Sequence, residues 1–237
     1  MADDKTMTLV EHLDELRTRI IISLVAWVVC TGAAYYYTPQ ILSLFTSFMS
    51  TKLVFTNPSE GFFTYLKISM LTGLFVSLPI ILHQVLLFIS PGLEKNERKW
   101  VFRLVPVAII LFLAGVLFAY FVLIPVTMKF FMSFATKDLV PMITIGGFIN
   151  YVLTLIILTG LMFQMPMIVF FLALIGLVNS VMLRDKRRYV IVMIFAVAAV
   201  ATPTPDAFTQ IIVSLPLILL YELSILVVWL TERKKRK

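Results

Sequence analysis

The sequence predicts an all-α polytopic membrane protein: one integral membrane domain of six crossings with both termini on the cytoplasmic side. Three observations carry this. Of the 237 residues, 60% are hydrophobic and 14% charged, and the mean hydropathy is +0.99. Soluble domains hold about 45–50% apolar and about 25% charged residues. The apolar residues come in long runs divided by short polar islands. With six crossings drawn, the basic residues fall as 3 before residue 20, 4 in 95–103, 4 in 184–188 and 5 after residue 232, leaving only Lys52, Lys67, Lys129 and Lys137 on the other face. Lys and Arg concentrate in cytoplasmic loops, which fixes the orientation.

The net charge of +7 would point a soluble chain towards nucleic acid. Here the positions of the charges matter more than their sum, and no nucleic-acid partner is expected. Cys30 is the only cysteine, so no disulfide framework and no cysteine metal site is available. Residues 1–19 carry five acids and no apolar core and do not read as a cleavable signal peptide.

In order along the chain, Thr8-Leu-Val-Glu11 reads as a capping box. Leu9, Leu13, Leu16 and Ile20 then form one apolar stripe, so 1–19 is expected to be a cytoplasmic amphipathic lead-in at the membrane surface. The first span covers 20–37 and ends at Thr38-Pro39. Helical spacing from Ile41 to Met49 predicts a short interfacial helix. The second span, 62–89, follows the Asn57-Pro58 turn, with Lys67 snorkelling at its outer end and Pro79 kinking it.

The polar island Phe88 to Trp100 is stopped by Pro91-Gly92. Glu94 and Glu97 sit in the first turns of the next helix, where the dipole favours anions, among Lys95, Arg98, Lys99 and Arg103. The third span covers 101–125 and closes at Pro125. From Leu139 to Leu183 there are 45 residues without Asp, Glu, Lys or Arg. Two crossings there would place the 184–188 cluster on the far face, so one is expected at 148–178, interrupted at Pro166, with Gly146-Gly147 in the preceding loop. The fifth segment, 189–201, reaches only about 20 Å at about 1.5 Å per residue. A hydrocarbon core is about 30 Å thick. The sixth span, 208–230, carries Pro216 and Glu222 and leads into a basic cytoplasmic tail, 231–237. Short and broken helices of this kind thin a bilayer locally.

Signatures of enzymatic chemistry are absent: the chain has neither a phosphate-binding glycine loop nor a His-Glu-x-x-His zinc motif. His12 and His83 are isolated and read as packing residues, as do the many Met and Phe residues. Two sets of polar residues stand apart. Glu15 and Glu97, at helix ends in basic surroundings, are each able to take a guanidinium by paired charge-assisted bonds; alternatively they pair with Arg17, Arg19 or Arg98 of their own segments. Gln164, Asp206 and Glu222 lie in or beside apolar segments, where polar groups face a bundle interior or a cavity. Asp206, following Pro205, is also placed to cap the sixth helix. These sets support two classes of function: a receptor for an arginine-bearing ligand, or a small ion- or proton-coupled transporter using Gln164, Asp206 and Glu222. An intramembrane protease lacks any catalytic pair.

Several segments, in order along nearly the whole chain, resemble the TatC family, the multi-spanning receptor subunit of the twin-arginine protein translocase. They are His12-Leu-Asp-Glu-Leu-Arg-Thr-Arg19, Gln84 with Phe88-Ile-Ser-Pro-Gly-Leu93 and Glu97-Arg98, Phe163-Gln-Met-Pro166, Thr202-Pro-Thr-Pro-Asp206 with Gln210, and Tyr221-Glu222. The resemblance implies a concave, glove-like bundle in the prokaryotic inner membrane and export of folded proteins driven by proton-motive force, without a cofactor. Implied partners are twin-arginine signal peptides, single-span TatA- and TatB-type proteins, membrane lipid and further copies in an oligomeric complex. Glu15 and Glu97 match the family's acidic signal-peptide positions, with Leu16, Arg17, Phe88 and Pro91 beside them. Gln164, Pro166, Asp206, Gln210 and Glu222 are expected as intramembrane polar or partner-contact positions. The family commonly has Glu where Gln164 stands, so this amide hydrogen-bonds but does not titrate.

Overall fold

A computed structural model describes residues 9–47, 49, 53–89, 95–136, 140–202 and 206–235. Among these the chain is almost wholly helical: α1 (Leu9–Tyr36), α2 (Thr38–Thr46), α3 (Ser59–Ile89), α4 (Lys95–Phe118), α5 (Ile124–Met132), α6 (Ile145–Met162), α7 (Met165–Leu174), α8 (Ser180–Asp185), α9 (Arg187–Ala201) and α10 (Ala207–Lys235). The β-pairing found is an isolated parallel bridge between Val54 and Thr144. Among the described residues, five helices or helix pairs are long and apolar enough to cross a membrane: Val10–Tyr36, Ser59–Ile89, Leu104–Met132, Ile145–Leu174 and Ala207–Arg233. The fifth expected crossing, α9, has 15 residues, about 22 Å at about 1.5 Å per residue, and falls short as its length in the sequence predicts.

The chain divides into two compact units, residues 1–39 with 65–106, and residues 40–64 with 107–237. In the first unit α1 and the 65–89 part of α3 run antiparallel. The Trp27 indole donates to the Met70 carbonyl at 2.9 Å. A Cβ at Gly73 would lie 2.6 Å from the Thr31 Cα, so only glycine permits this approach. The expected lead-in runs directly into the first span as part of α1. Residues from Leu9 onward continue without a break into the first span, because no Pro or Gly interrupts them. Thr8 of the expected capping box lies outside the described residues.

The second unit holds the densest packing. Leu123, Ile124, Ile149, Val152, Leu155, Ile156, Val213, Leu217 and Val228 are buried. Thr127, Thr159 and Ser224 are buried among them and donate to carbonyls of their own helices, each at 2.7 Å, as hydroxyls without water must. A Cβ at Gly115 would lie 2.6 Å from the Thr159 carbonyl oxygen and 2.9 Å from the Gly160 Cα. Small residues allow this close crossing, which drives association where lipid removes the hydrophobic contrast.

Two expectations are corrected here. The third span does not close at Pro125. A π-turn over Ala119–Leu123 lets the Ile124 N–H bond to the Ala119 carbonyl, and Pro125 enters α5 in its first turn, where its missing N–H costs nothing. Nor do Gly146 and Gly147 lie in a loop. They form the first turn of α6, capped by Thr144, whose hydroxyl accepts from Gly147 N, and anchored by Glu60, whose carboxylate accepts from Gly146 N at 2.8 Å and Thr56 N at 2.7 Å. The break near Pro166 is as expected, between α6 and α7. Residues 231–235 of the expected tail continue α10.

Candidate functional site

The site begins with α1, whose i, i+4 spacing brings Glu15 and Arg19 together. The Arg19 guanidinium donates one Nη to Glu15 Oε1 at 3.0 Å and the other to Gln84 Oε1 of α3 at 3.1 Å. The Glu15 and Arg19 side chains are 15% and 27% exposed. Glu15 Oε2 and Arg19 Nε are shielded from solvent and have no hydrogen-bond partner among the described residues. A shielded carboxylate oxygen without a donor is costly, so Glu15 keeps acceptor capacity for a further cation. Phe88 of α3 stacks on His12 of α1 with ring centroids 4.3 Å apart and planes 14° from parallel.

Between these residues α1 and α3 enclose a groove of about 600 Å³. Its walls are apolar, from Leu16, Ile20, Leu24, Leu74, Ile81 and Val85, and Arg19 and Gln84 supply polar groups to the same lining. Leu16 and Phe88, named from the sequence, thus lie on one groove with the Glu15 partner Arg19. Arg17 makes no ion pair among the described residues, whereas the Glu97 side chain and Pro91 lie outside them. Gln84 entered the sequence reading only as part of a motif. Its bond to Arg19 spans 65 positions, and no local spacing reports such a pair.

The other polar positions are not brought together. Gln164, 8% exposed, donates to the Ala108 carbonyl at 2.8 Å. Pro166 lies in the first turn of α7. Asp206 accepts from Thr209 N at 2.7 Å and caps α10. Gln210 donates to the Phe195 carbonyl at 2.9 Å. Glu222 pairs with Arg187 at 2.6 Å, both partly exposed. Gln164, Asp206 and Glu222 therefore sit in three separate bonding arrangements.

Helices of this length and apolarity, around polar groups joined pairwise, define a polytopic α-helical integral membrane protein. The family model for "Sec-independent protein translocase protein (TatC)" matches residues 11–216. A protein of that name from Carboxydothermus hydrogenoformans is 40% identical over 95% of this chain and 94% of its own length. One from Aquifex aeolicus is 34% identical over 98% of each chain. A crystal structure of a twin-arginine translocase receptor TatC superposes with a TM-score of 0.82 at 33% identity, covering 92% of this chain and 99% of that one. The chain belongs to the TatC family of Sec-independent protein translocase proteins. It is a translocase component with the fold of a receptor, and not an enzyme.

Proposed function

We propose that this chain is the receptor and assembly core that binds twin-arginine signal peptides for export of folded proteins. The observation that carries the reading is Glu15, a shielded carboxylate that already holds one guanidinium and retains an oxygen without a donor. Glu97 provides the second carboxylate of the reading. A pair of guanidinium groups suits two carboxylates because each planar fork makes parallel charge-assisted bonds, which an ammonium does not. The apolar groove lined by Leu16 and Phe88 suits the hydrophobic part of a signal peptide.

The membrane is the prokaryotic cytoplasmic membrane and the termini are cytoplasmic, a reading supported by the concentration of Lys and Arg on one face. TatA- and TatB-type single-span proteins are the partners, further copies complete the complex, and proton-motive force supplies the energy. The short α9 favours a locally thinned bilayer beside the receptor.

The test is binding of a fluorescent twin-arginine peptide to the purified chain. Losing one charged hydrogen bond costs about 1.5–3 kcal/mol, so Glu15→Ala and Glu97→Ala should each weaken binding about tenfold or more. A Lys-Lys peptide should bind less well than Arg-Arg. If both alanine variants bound like the parent protein, the site assignment would be wrong.

A further inference from the structure

Arg19 does not close on Glu15 as an isolated pair would. A guanidinium fork can place two N–H groups on one carboxylate, and the i, i+4 spacing along α1 brings the two side chains within reach. Instead the two Nη atoms go to different acceptors. One donates to Glu15 Oε1 at 3.0 Å and the other to Gln84 Oε1 of α3 at 3.1 Å. This division leaves each member of the ion pair one bond short. Arg19 Nε and Glu15 Oε2 are both shielded from solvent and have no hydrogen-bond partner among the described residues. Leu16, Ile20 and Val85 line the same groove, and in apolar surroundings a missing bond weighs more than at an open surface.

Gln84 causes the division. It carries no charge, comes from the facing helix 65 positions away, and draws one Nη off the carboxylate. The other polar groups of the groove lining are engaged elsewhere. The Ser23 hydroxyl donates to the Arg19 backbone carbonyl at 2.9 Å, and the Trp27 indole to the Met70 carbonyl. The α3 residues on either side of Gln84 in the lining, Ile81 and Val85, are apolar. Within this groove Gln84 is therefore the group that competes with Glu15 for the Arg19 guanidinium.

We propose that Arg19 is a built-in stand-in for the ligand's guanidinium and that Gln84 is the positioning residue that keeps it displaceable. With Gln84 in place, Arg19 holds Glu15 by a single bond. An incoming guanidinium brings a whole fork, replaces that one bond with two, and leaves Arg19 on Gln84. The exchange gains one charge-assisted hydrogen bond, worth about tenfold or more in affinity. Without Gln84, Arg19 would close its own fork on Glu15, and a ligand would break two bonds to make two. This rests on the reading that Glu15 receives a guanidinium, and it explains why the site is not blocked by its own arginine.

The test is a double-mutant cycle on the full chain in detergent, read by binding of a short fluorescent Arg-Arg peptide. The peptide carries no hydrophobic segment, which keeps the apolarity of the groove out of the measurement. Gln84→Leu changes no charge and should weaken binding about tenfold, the worth of one charged bond. Arg19→Gln should strengthen binding about tenfold, because no stand-in remains to be displaced. The two changes should not add: in the Arg19→Gln background Gln84→Leu should have no effect, since Gln84 acts only through Arg19. Arg19→Lys is a second background that keeps a cation beside Glu15 if Arg19→Gln does not fold. An ammonium has no fork to close, so Gln84→Leu should again have little effect there. Equal effects of Gln84→Leu in the parent and in either Arg19 variant would overturn the proposal, as would parent-like binding by Gln84→Leu alone. Failure of the underlying reading looks different: the parent would not bind the peptide, or Glu15→Ala would bind it like the parent, and the stand-in role would fall with it.

Discussion

The two units solve the same problem, apolar helices in an apolar solvent, in different ways. Within the most apolar 18-residue window of α1, 6% is buried, against 44% for that of α10. The first unit relies on a few specific ties: Trp27 to Met70, Gly73 against Thr31, and Arg19 between Glu15 and Gln84. The second relies on extended packing, with Gly115 against Gly160 and hydroxyls turned back onto their own helices. In lipid, burial of apolar surface supplies little drive, so dispersion contacts and polar ties decide what holds. Dense packing suits a scaffold. Sparse ties leave apolar surface uncovered and a shielded carboxylate oxygen without a donor, which suits the ligand-binding role proposed for this unit.

The largest effect should come from overfilling the scaffold. In Gly115→Leu the Cβ alone would lie 2.6 Å from the Thr159 carbonyl oxygen, a backbone atom that cannot move aside. Overpacking costs about 1–3 kcal/mol or more, and a whole leucine belongs at the upper end. The variant should melt far below the parent in detergent or fail to accumulate; an unchanged melting curve would mean that this crossing does not hold the second unit. Next comes Gly73→Ala, whose Cβ would meet the Thr31 backbone at 2.6 Å. It should cost less, about 1–2 kcal/mol, because the sparsely packed α1 has room to shift. It should also disturb the groove and weaken peptide binding. Gly32→Ala is the control, with nothing within 4 Å of its Cβ. It should be neutral or stabilise α1 by up to about 1 kcal/mol through helix propensity. If Gly73→Ala and Gly32→Ala behaved alike, the tie at Thr31 would carry no weight.

The order of the apolar helices was legible in the sequence, whereas the division into two units was not, since the sequence reads as one domain, and what was missed has identifiable causes. Apolar runs bounded by Pro, Gly and charge mark out the long apolar helices, and the residue count alone identifies α9 as short. Asp206 is recognisable as a cap because a cap is a local arrangement after a proline. Pro125 misleads because a π-turn shifts the hydrogen-bond register so that the helix continues. Gly146-Gly147 misleads because their helical turn is anchored by Glu60, distant in sequence. Arg19 was one of several possible partners for Glu15. The third member, Gln84, requires knowing that α1 and α3 run antiparallel. Gly73 and Gly115 give no signal alone, since a close crossing depends on what lies opposite.

The smallest effect should sharpen the comparison from inside the scaffold, at Gln164. Its amide donates to the Ala108 carbonyl at 2.8 Å, in the same unit. A neutral hydrogen bond contributes about 0.5–1.5 kcal/mol, and interhelical bonds in membranes average about 0.6 kcal/mol. Gln164→Leu keeps similar volume and loses the donor, so its melting temperature should fall slightly at every pH. Gln164→Glu behaves differently because a carboxylate has no proton to donate to Ala108, whereas the protonated acid has. The folded variant therefore holds a proton that the unfolded chain releases above about pH 4.3, the ordinary value for Glu. When the folded state binds more protons, stability falls as pH rises. Gln164→Glu should match the parent at low pH and drop below Gln164→Leu near neutrality, since an ionised carboxylate in an apolar span is worse than no polar group. Thermal melting of the three proteins across pH 4–8 measures this directly. A Gln164→Glu curve parallel to the parent throughout would show that the bond to Ala108 contributes nothing to the stability of the second unit.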